Sequence, residues 1–181
     1  MRFPFPPGIR ENYPGMLTDA EAAKLEELAD GKLVLELGSY TGLSTIVMAR
    51  VAEHVVSCDW HQGDKHIGPR DTLAKLDANL RRFEVRDKVT LLVGRFEDTL
   101  RLLRSDQFGM AYIDGAHDYH SVNLDTAMAI RLVDQRGHTM AWHDVDQEDV
   151  RRVFDEHIAL KSINSKTSYD QVDRLGYLLV G

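Results

Sequence analysis

From residue 18 onward the chain alternates short apolar runs with longer segments whose apolar positions recur every three or four residues. Thr18 with Glu21 three residues on has capping-box spacing, Ala22, Leu25, Leu28 and Ala29 share one face, and Gly31 supplies a stop, so a helix is predicted there. Leu33–Leu37, Val55–Cys58, Val89–Val93, Met110–Ile113 and Thr139–Trp142 are short apolar runs bounded by turn or polar residues, which predicts strands. Between them, Ser44–Val51, Thr72–Phe83, Phe96–Leu103, Val122–Val133 and Glu148–Ile158 predict helices. The last is the clearest, because Val150, Val153, Phe154, His157 and Ile158 fall on one helical face. Strands alternating with helices predict an α/β fold, a parallel sheet covered on both faces. Ile158–Ile163 and Arg174–Val180 flank a polar, turn-rich stretch, and predict an antiparallel hairpin closing the sheet edge. Residues 1–15 hold four prolines and three aromatics with no helical period, which predicts an arm lying on the surface or over a site.

Composition narrows the function classes. The 181 residues suit one domain, 1–181, with the arm at its start. Hydrophobic residues at 43% and charged residues at 28% mark a globular chain, without an apolar stretch long enough for a bilayer span. Prolines stand where a signal peptide needs an apolar run, so a cytoplasmic protein is expected. A net charge of -7 gives no global field toward nucleic acid or anionic membranes, and neither is expected as a partner. The single cysteine, Cys58, excludes an intrachain disulfide and a thiolate cluster; its apolar surroundings suggest a buried structural thiol rather than a nucleophile.

In open α/β sheets, ligands bind beyond the carboxyl ends of the strands. After the first strand comes Glu36-Leu37-Gly38-Ser39-Tyr40-Thr41-Gly42-Leu43-Ser44-Thr45. Its two glycines let the backbone approach a ligand, and Ser44 and Thr45 open a helix whose free amides can hold a carboxylate. The spacing is neither that of a dinucleotide fold nor that of a P-loop, which disfavours pyrophosphate and triphosphate ligands. A glycine turn without a ligand is the alternative. The second strand ends at Asp59, 23 residues after Glu36, where a carboxylate can accept both hydroxyls of a ribose. Trp60 beside it offers a face to an adenine or belongs to the core.

The runs ELGSYTGLST, Asp59, VGRFED and YIDGAHDYHSV, in this order, resemble class I S-adenosylmethionine-dependent methyltransferases. Within them the chain is most similar to the small-molecule O-methyltransferases related to the catechol and macrolide-sugar enzymes, over residues from Pro14 to the C-terminus. The resemblance implies a Rossmann-like, doubly wound seven-stranded sheet whose last strand is antiparallel, with helices on both faces. It implies that Gly38, Ser39, Tyr40, Gly42 and Ser44 surround the methionine part of the cofactor. Glu36 would support that loop and the amino group, Asp59 and Trp60 would meet the ribose and its surroundings, and Phe96 and Glu97 would flank the adenine.

Asp114-Gly115-Ala116-His117-Asp118-Tyr119-His120 follows the fourth strand and Trp142-His143-Asp144 the fifth, so carboxylates and imidazoles gather at one cleft. Asp114 and Asp144 suit Mg²⁺, and His143 shifts the preference toward Mn²⁺, Fe²⁺ or Zn²⁺; helix capping and loop hydrogen bonds are the alternative, above all for Asp118 and His120. The resemblance places metal ligands at Asp114 and at the His143–Asp144 pair, with His143 standing where relatives have a carboxylate. It places a general base at His117 and counts Asp114 beside it among both the catalytic and the cofactor-binding residues, for methyl transfer to a small-molecule hydroxyl. The insertion Trp60–Arg70, with His61 and His66, reads as a substrate lid or as a solvated loop. A metal-dependent hydrolase or lyase and a non-catalytic S-adenosylmethionine-binding module are the rival functions, and a homodimer could complete the acceptor pocket.

Overall fold

The computed structural model describes residues 16–64, 68–161 and 166–181. The expected N-terminal arm, His66 and Ile163 lie outside the described residues. Helix α1 (Asp19–Ala29) opens at Thr18, whose hydroxyl accepts the Glu21 N–H while the Glu21 carboxylate accepts the Thr18 N–H, the reciprocal cap its spacing predicts. The chain continues through β1 (Leu33–Leu37), α2 (Leu43–Ala49), β2 (His54–Asp59), the two-residue strands β3 (Gly63–Asp64) and β4 (Gly68–Pro69), and α3 (Leu73–Arg82). Then come β5 (Val89–Val93), the short α4 (Phe96–Thr99), β6 (Met110–Ile113), α5 (Tyr119–Leu132), β7 (His138–Trp142), α6 (Glu148–Lys161), β8 (Thr167–Val172) and β9 (Leu175–Val180).

The large sheet has seven strands in the order β5-β2-β1-β6-β7-β9-β8. β1, β2, β5, β6 and β7 run parallel, and β9 is inserted antiparallel between β7 and β8. One apolar cluster, including Leu25, Ile46, Leu76 and Leu80, packs α1–α3 on one face. A second, including Val122, Leu132, Val150, Val153 and Phe154, packs α5 and α6 on the other. The sheet is therefore Rossmann-like and doubly wound, as expected.

Two elements differ: the helix expected over Phe96–Leu103 is the short α4 followed by a 3-10 turn at Leu100–Leu102, and the terminal hairpin begins later than expected. The hairpin's first strand is Thr167–Val172 rather than Ile158–Ile163, because α6 runs on to Lys161. Strand order reverses between β1 and β6, and that switch point fixes where a ligand cleft opens. The register sets Leu37 beside both Cys58 and Ile113, and Ile113 beside Trp142, so Gly38, Asp59, Asp114 and His143 emerge in a row at the carboxyl ends of their strands.

Candidate active site

A cleft of about 1410 Å³ opens at this edge, walled by the loops after β1, β2, β5, β6 and β7 and by Met16, Leu17 and Arg174. Gly38 is required by an approach of backbone to backbone: with φ +92°, its Cβ position would lie 2.0 Å from the Asp114 carbonyl oxygen. Gly42, the N-cap of α2, also has a left-handed φ, and a Cβ there would strike Leu76 at 2.5 Å. These glycines seat the loop on its protein neighbours, a different reason from the ligand approach expected of them.

The Ser44 and Thr45 hydroxyls donate to the two oxygens of Glu36, each at 2.6 Å. Glu36 is fully buried, and burial pushes its carboxyl up to about 7 against the hydroxyl donors. Its part is to fasten the start of α2 from beneath; it is not among the residues that line the cleft. Asp59 lines the cleft, but its Oδ2 already accepts the Ser39 and Tyr40 N–H groups at 2.9 and 2.8 Å, and its Oδ1 accepts the His61 N–H at 2.8 Å. Trp60 is 38% exposed, with the Arg95 guanidinium carbon 5.2 Å from its ring centroid, so one face is covered. Phe96 packs against Gly115, and Glu97 is exposed at the cleft rim. His61 departs from the solvated-loop reading: it is buried, with Nδ1 2.9 Å from the Thr72 hydroxyl. Cys58 is buried, and burial pushes its thiol up to about 12, as a structural thiol requires.

The expected acidic and histidine cluster assembles. His117, partly exposed at the cleft, sets its Nε2 2.9 Å from Asp144 Oδ2. His143 is buried, with Nδ1 3.2 Å from Asp144 and 3.6 Å from Asp114, and Nε2 3.5 Å from Glu21. Burial alone would push its imidazole down, yet the three carboxylates around it hold it protonated, far above the ordinary range. Asp144 has a left-handed backbone, φ 55°. Its carboxyl is opposed by burial but held far below the usual range by His117 and His143. Asp114 accepts the buried Tyr112 hydroxyl at 3.0 Å. Asp118 takes the capping alternative, accepting from the Ser121 N–H at the start of α5.

Three participants were not singled out for this site by sequence reasoning. Arg174, in the turn between β8 and β9, reaches Asp144 at 3.0 Å and Glu21 at 3.4 Å, while its N–H donates to Glu21 at 2.8 Å. Glu21 was legible as a helix cap, but nothing local marks it as a second carboxylate behind His143. Asp125, buried on α5 and lining the same cleft, was also missed; a charged residue on the apolar face Val122–Ala129 was its signal.

The strand order and the walled switch point define a Rossmann-like protein with a ligand cleft at the switch point of its sheet. A sequence model described as a methyltransferase domain matches residues 35–145, and the chain belongs to that family, whose members here depend on S-adenosylmethionine. The chain is similar to cofactor-bound Rv0187 from MTB, at 26% identity and TM-score 0.68, over 92% of this chain and 81% of that one. The O-methyltransferase TomG of Streptomyces achromogenes, involved in tomaymycin synthesis and solved with SAM, shares the fold at 17% identity and TM-score 0.70, over 94% and 84%. An O-methyltransferase from Bacillus cereus, solved with SAH, shares it at 19% identity and TM-score 0.68, over 93% and 84%. No curated protein matches by sequence. The family sets aside the hydrolase or lyase alternative. No helix among the described residues is long and apolar enough to cross a membrane.

Proposed function

We propose that the protein methylates a hydroxyl of a small molecule, with His117 as general base. The observation that carries this is the 2.9 Å contact of His117 Nε2 with Asp144, which fixes the ring while His117 stays accessible at the cleft. Nδ1 is then the atom that takes the proton from the acceptor hydroxyl. When bound, S-adenosylmethionine supplies an electrophilic methyl group on a sulfonium. The residues present fit it. Gly38, Ser39 and Tyr40 line the cleft, and Ser44 lines it beside them. Asp59, though it also anchors the loop, retains lone pairs for a ribose, and Phe96, Glu97 and Trp60 stand at the other end for an adenine. The enzyme's contribution is alignment of the acceptor and removal of its proton.

One observation favours a second reading. Ligating atoms of Asp114, His143 and Asp144 lie within 4.8 Å of one another, a donor set that fits a divalent ion of the Mn²⁺, Fe²⁺ or Zn²⁺ kind. Such an ion would lower the pKa of an acceptor hydroxyl. It would also have to compete with Arg174 and His117 for Asp144, so the metal-free reading leads.

The test follows S-adenosylhomocysteine release from S-adenosylmethionine across a panel of phenolic and sugar hydroxyl acceptors. His117→Ala is expected to cut the acceptor-dependent rate by about 10²–10⁴-fold, with S-adenosylhomocysteine affinity retained by calorimetry. A variant that keeps the full rate removes His117 from the role. Dialysis against EDTA is expected to leave the wild-type rate unchanged. A loss restored by Mn²⁺ brings the metal reading forward.

A further inference from the structure

Asp125 is 5% exposed, yet it lines the cleft. It makes no hydrogen bond to any described residue, although an unpartnered buried carboxyl is costly and the helix around it is otherwise well packed. Its position is narrow: a Cβ built on Gly115 would stand 3.1 Å from Asp125 Oδ2 and 3.1 Å from the Phe96 ring. The carboxyl, the flat Gly115 backbone and the Phe96 ring therefore meet at one point between the loops after β5 and β6. A planar group with polar atoms on one edge, lying against Phe96, would present that edge to Asp125.

We propose that Asp125 reads the purine of the cofactor, its carboxyl pairing side by side with the N1/N6 edge of adenine. In the neutral acid the O–H donates to N1 and the carbonyl oxygen accepts one N6–H, two parallel bonds from one side chain. The chemistry of the surroundings supports the neutral form. Burial first, then the negative charges of Glu97 on α4 and Asp118 at the head of α5, push the Asp125 carboxyl up to about 7. An ionised carboxylate could accept from N6 but would repel the N1 lone pair. A purine without the 6-amino group keeps the N1 acceptor but has no N6–H, and loses one of the two bonds. The inference rests on the methyltransferase reading of this cleft and assigns a specificity residue within it.

The experiment is calorimetric titration of the full chain with S-adenosylhomocysteine and with its analogue whose purine lacks the 6-amino group. The wild type is expected to prefer the adenine compound, with affinity full below pH 7 and falling above it as the acid ionises. Asp125→Leu is expected to lose about 5–150-fold in affinity, the value of one bidentate pair, and to lose the preference. Asp125→Asn, whose amide N–H and carbonyl reproduce both bonds, is expected to recover most of that loss and to bind with less pH dependence between 6 and 8 than the wild type. An Asp125→Leu variant that binds and discriminates like the wild type overturns the assignment while leaving the methyltransferase reading intact. A wild type that binds neither compound overturns both. Should the Leu variant not fold, the pH profiles of wild type and Asp125→Asn still decide, since identical profiles overturn the proposal.

Discussion

At the scale of single residues, the His117–Asp144 contact ties the rate to one protonation state. Asp144 raises the His117 pKa above its ordinary 6.5, against burial and the nearby His143 charge. A base must be neutral to accept a proton, so kcat is expected to rise with pH through a limb above 6.5. In Asp144→Asn the stabilising charge is gone, and the limb is expected to move down as the rate falls. A pH–rate profile of the two proteins checks this; a wild-type limb at or below 6.5 would take the base role from His117. The sequence made the four residues Asp114, His117, His143 and Asp144 legible together because parallel neighbours deliver their strand ends to one edge. Glu21 and Arg174 were not legible as partners, because the contact between them spans 153 positions and has no local pattern. Asp59 was legible as the acidic strand end, but its grip on the amides of Ser39 and Tyr40 arises only once β1 and β2 pair.

At the scale of elements, the buried strands were legible and the exposed one was not. β1 and β6 coincide with their apolar runs, as strands buried inside a sheet covered on both faces do, with Glu36 the one polar residue in β1. β8 reads Thr-Ser-Tyr-Asp-Gln-Val and is mostly exposed at the sheet edge, so no hydrophobic signal announced it. The apolar residues just before it drew the expectation instead. Yet Ile158 continues the inward face of α6 through hydrogen-bonded helix, and Leu160 ends 72% exposed. The loop between β1 and α2 depends on a contact that sequence spacing does not reveal, the carbonyl of Asp114 standing where a Gly38 side chain would be. Gly38→Ala is therefore expected to cost more than the roughly 1–2 kcal/mol of left-handed strain alone, because the loops after β1 and β6 must also part. Urea unfolding measures the loss, and calorimetry is expected to show S-adenosylhomocysteine binding falling with it. A variant with wild-type stability and affinity would show that the two loops yield freely.

At the scale of the whole molecule, Glu21 joins three distant parts of the chain. It caps α1 through Thr18, accepts the Arg174 N–H at the β8–β9 turn, and faces His143 at the end of β7. The carboxylate thereby holds the inserted hairpin against the first helix and sets the floor beneath the cluster that contains His117. It is fully buried, which by itself would raise its pKa. The His143 imidazolium at 3.5 Å and hydrogen bonds from the Thr18 and Arg174 amides outweigh burial and hold it at about 2, below the ordinary 4.5. For a carboxyl depressed in the folded state, the stability it contributes is complete above the unfolded pKa. It is lost as pH falls from about 4.5 toward 2. The size is on the order of 3 kcal/mol, because every tenfold gain in acidity on folding is worth about 1.4 kcal/mol. Glu21→Gln keeps a side chain that can serve the cap but cannot carry the charge. It is expected to be less stable than the wild type near pH 6, and the gap is expected to close as the pH is lowered through this window. Urea midpoints for both proteins from pH 6 down to 3 measure that gap. A gap of constant size would mean that Glu21 contributes shape and capping alone, and that Asp144 with Arg174 carries the electrostatic tie between hairpin and active site.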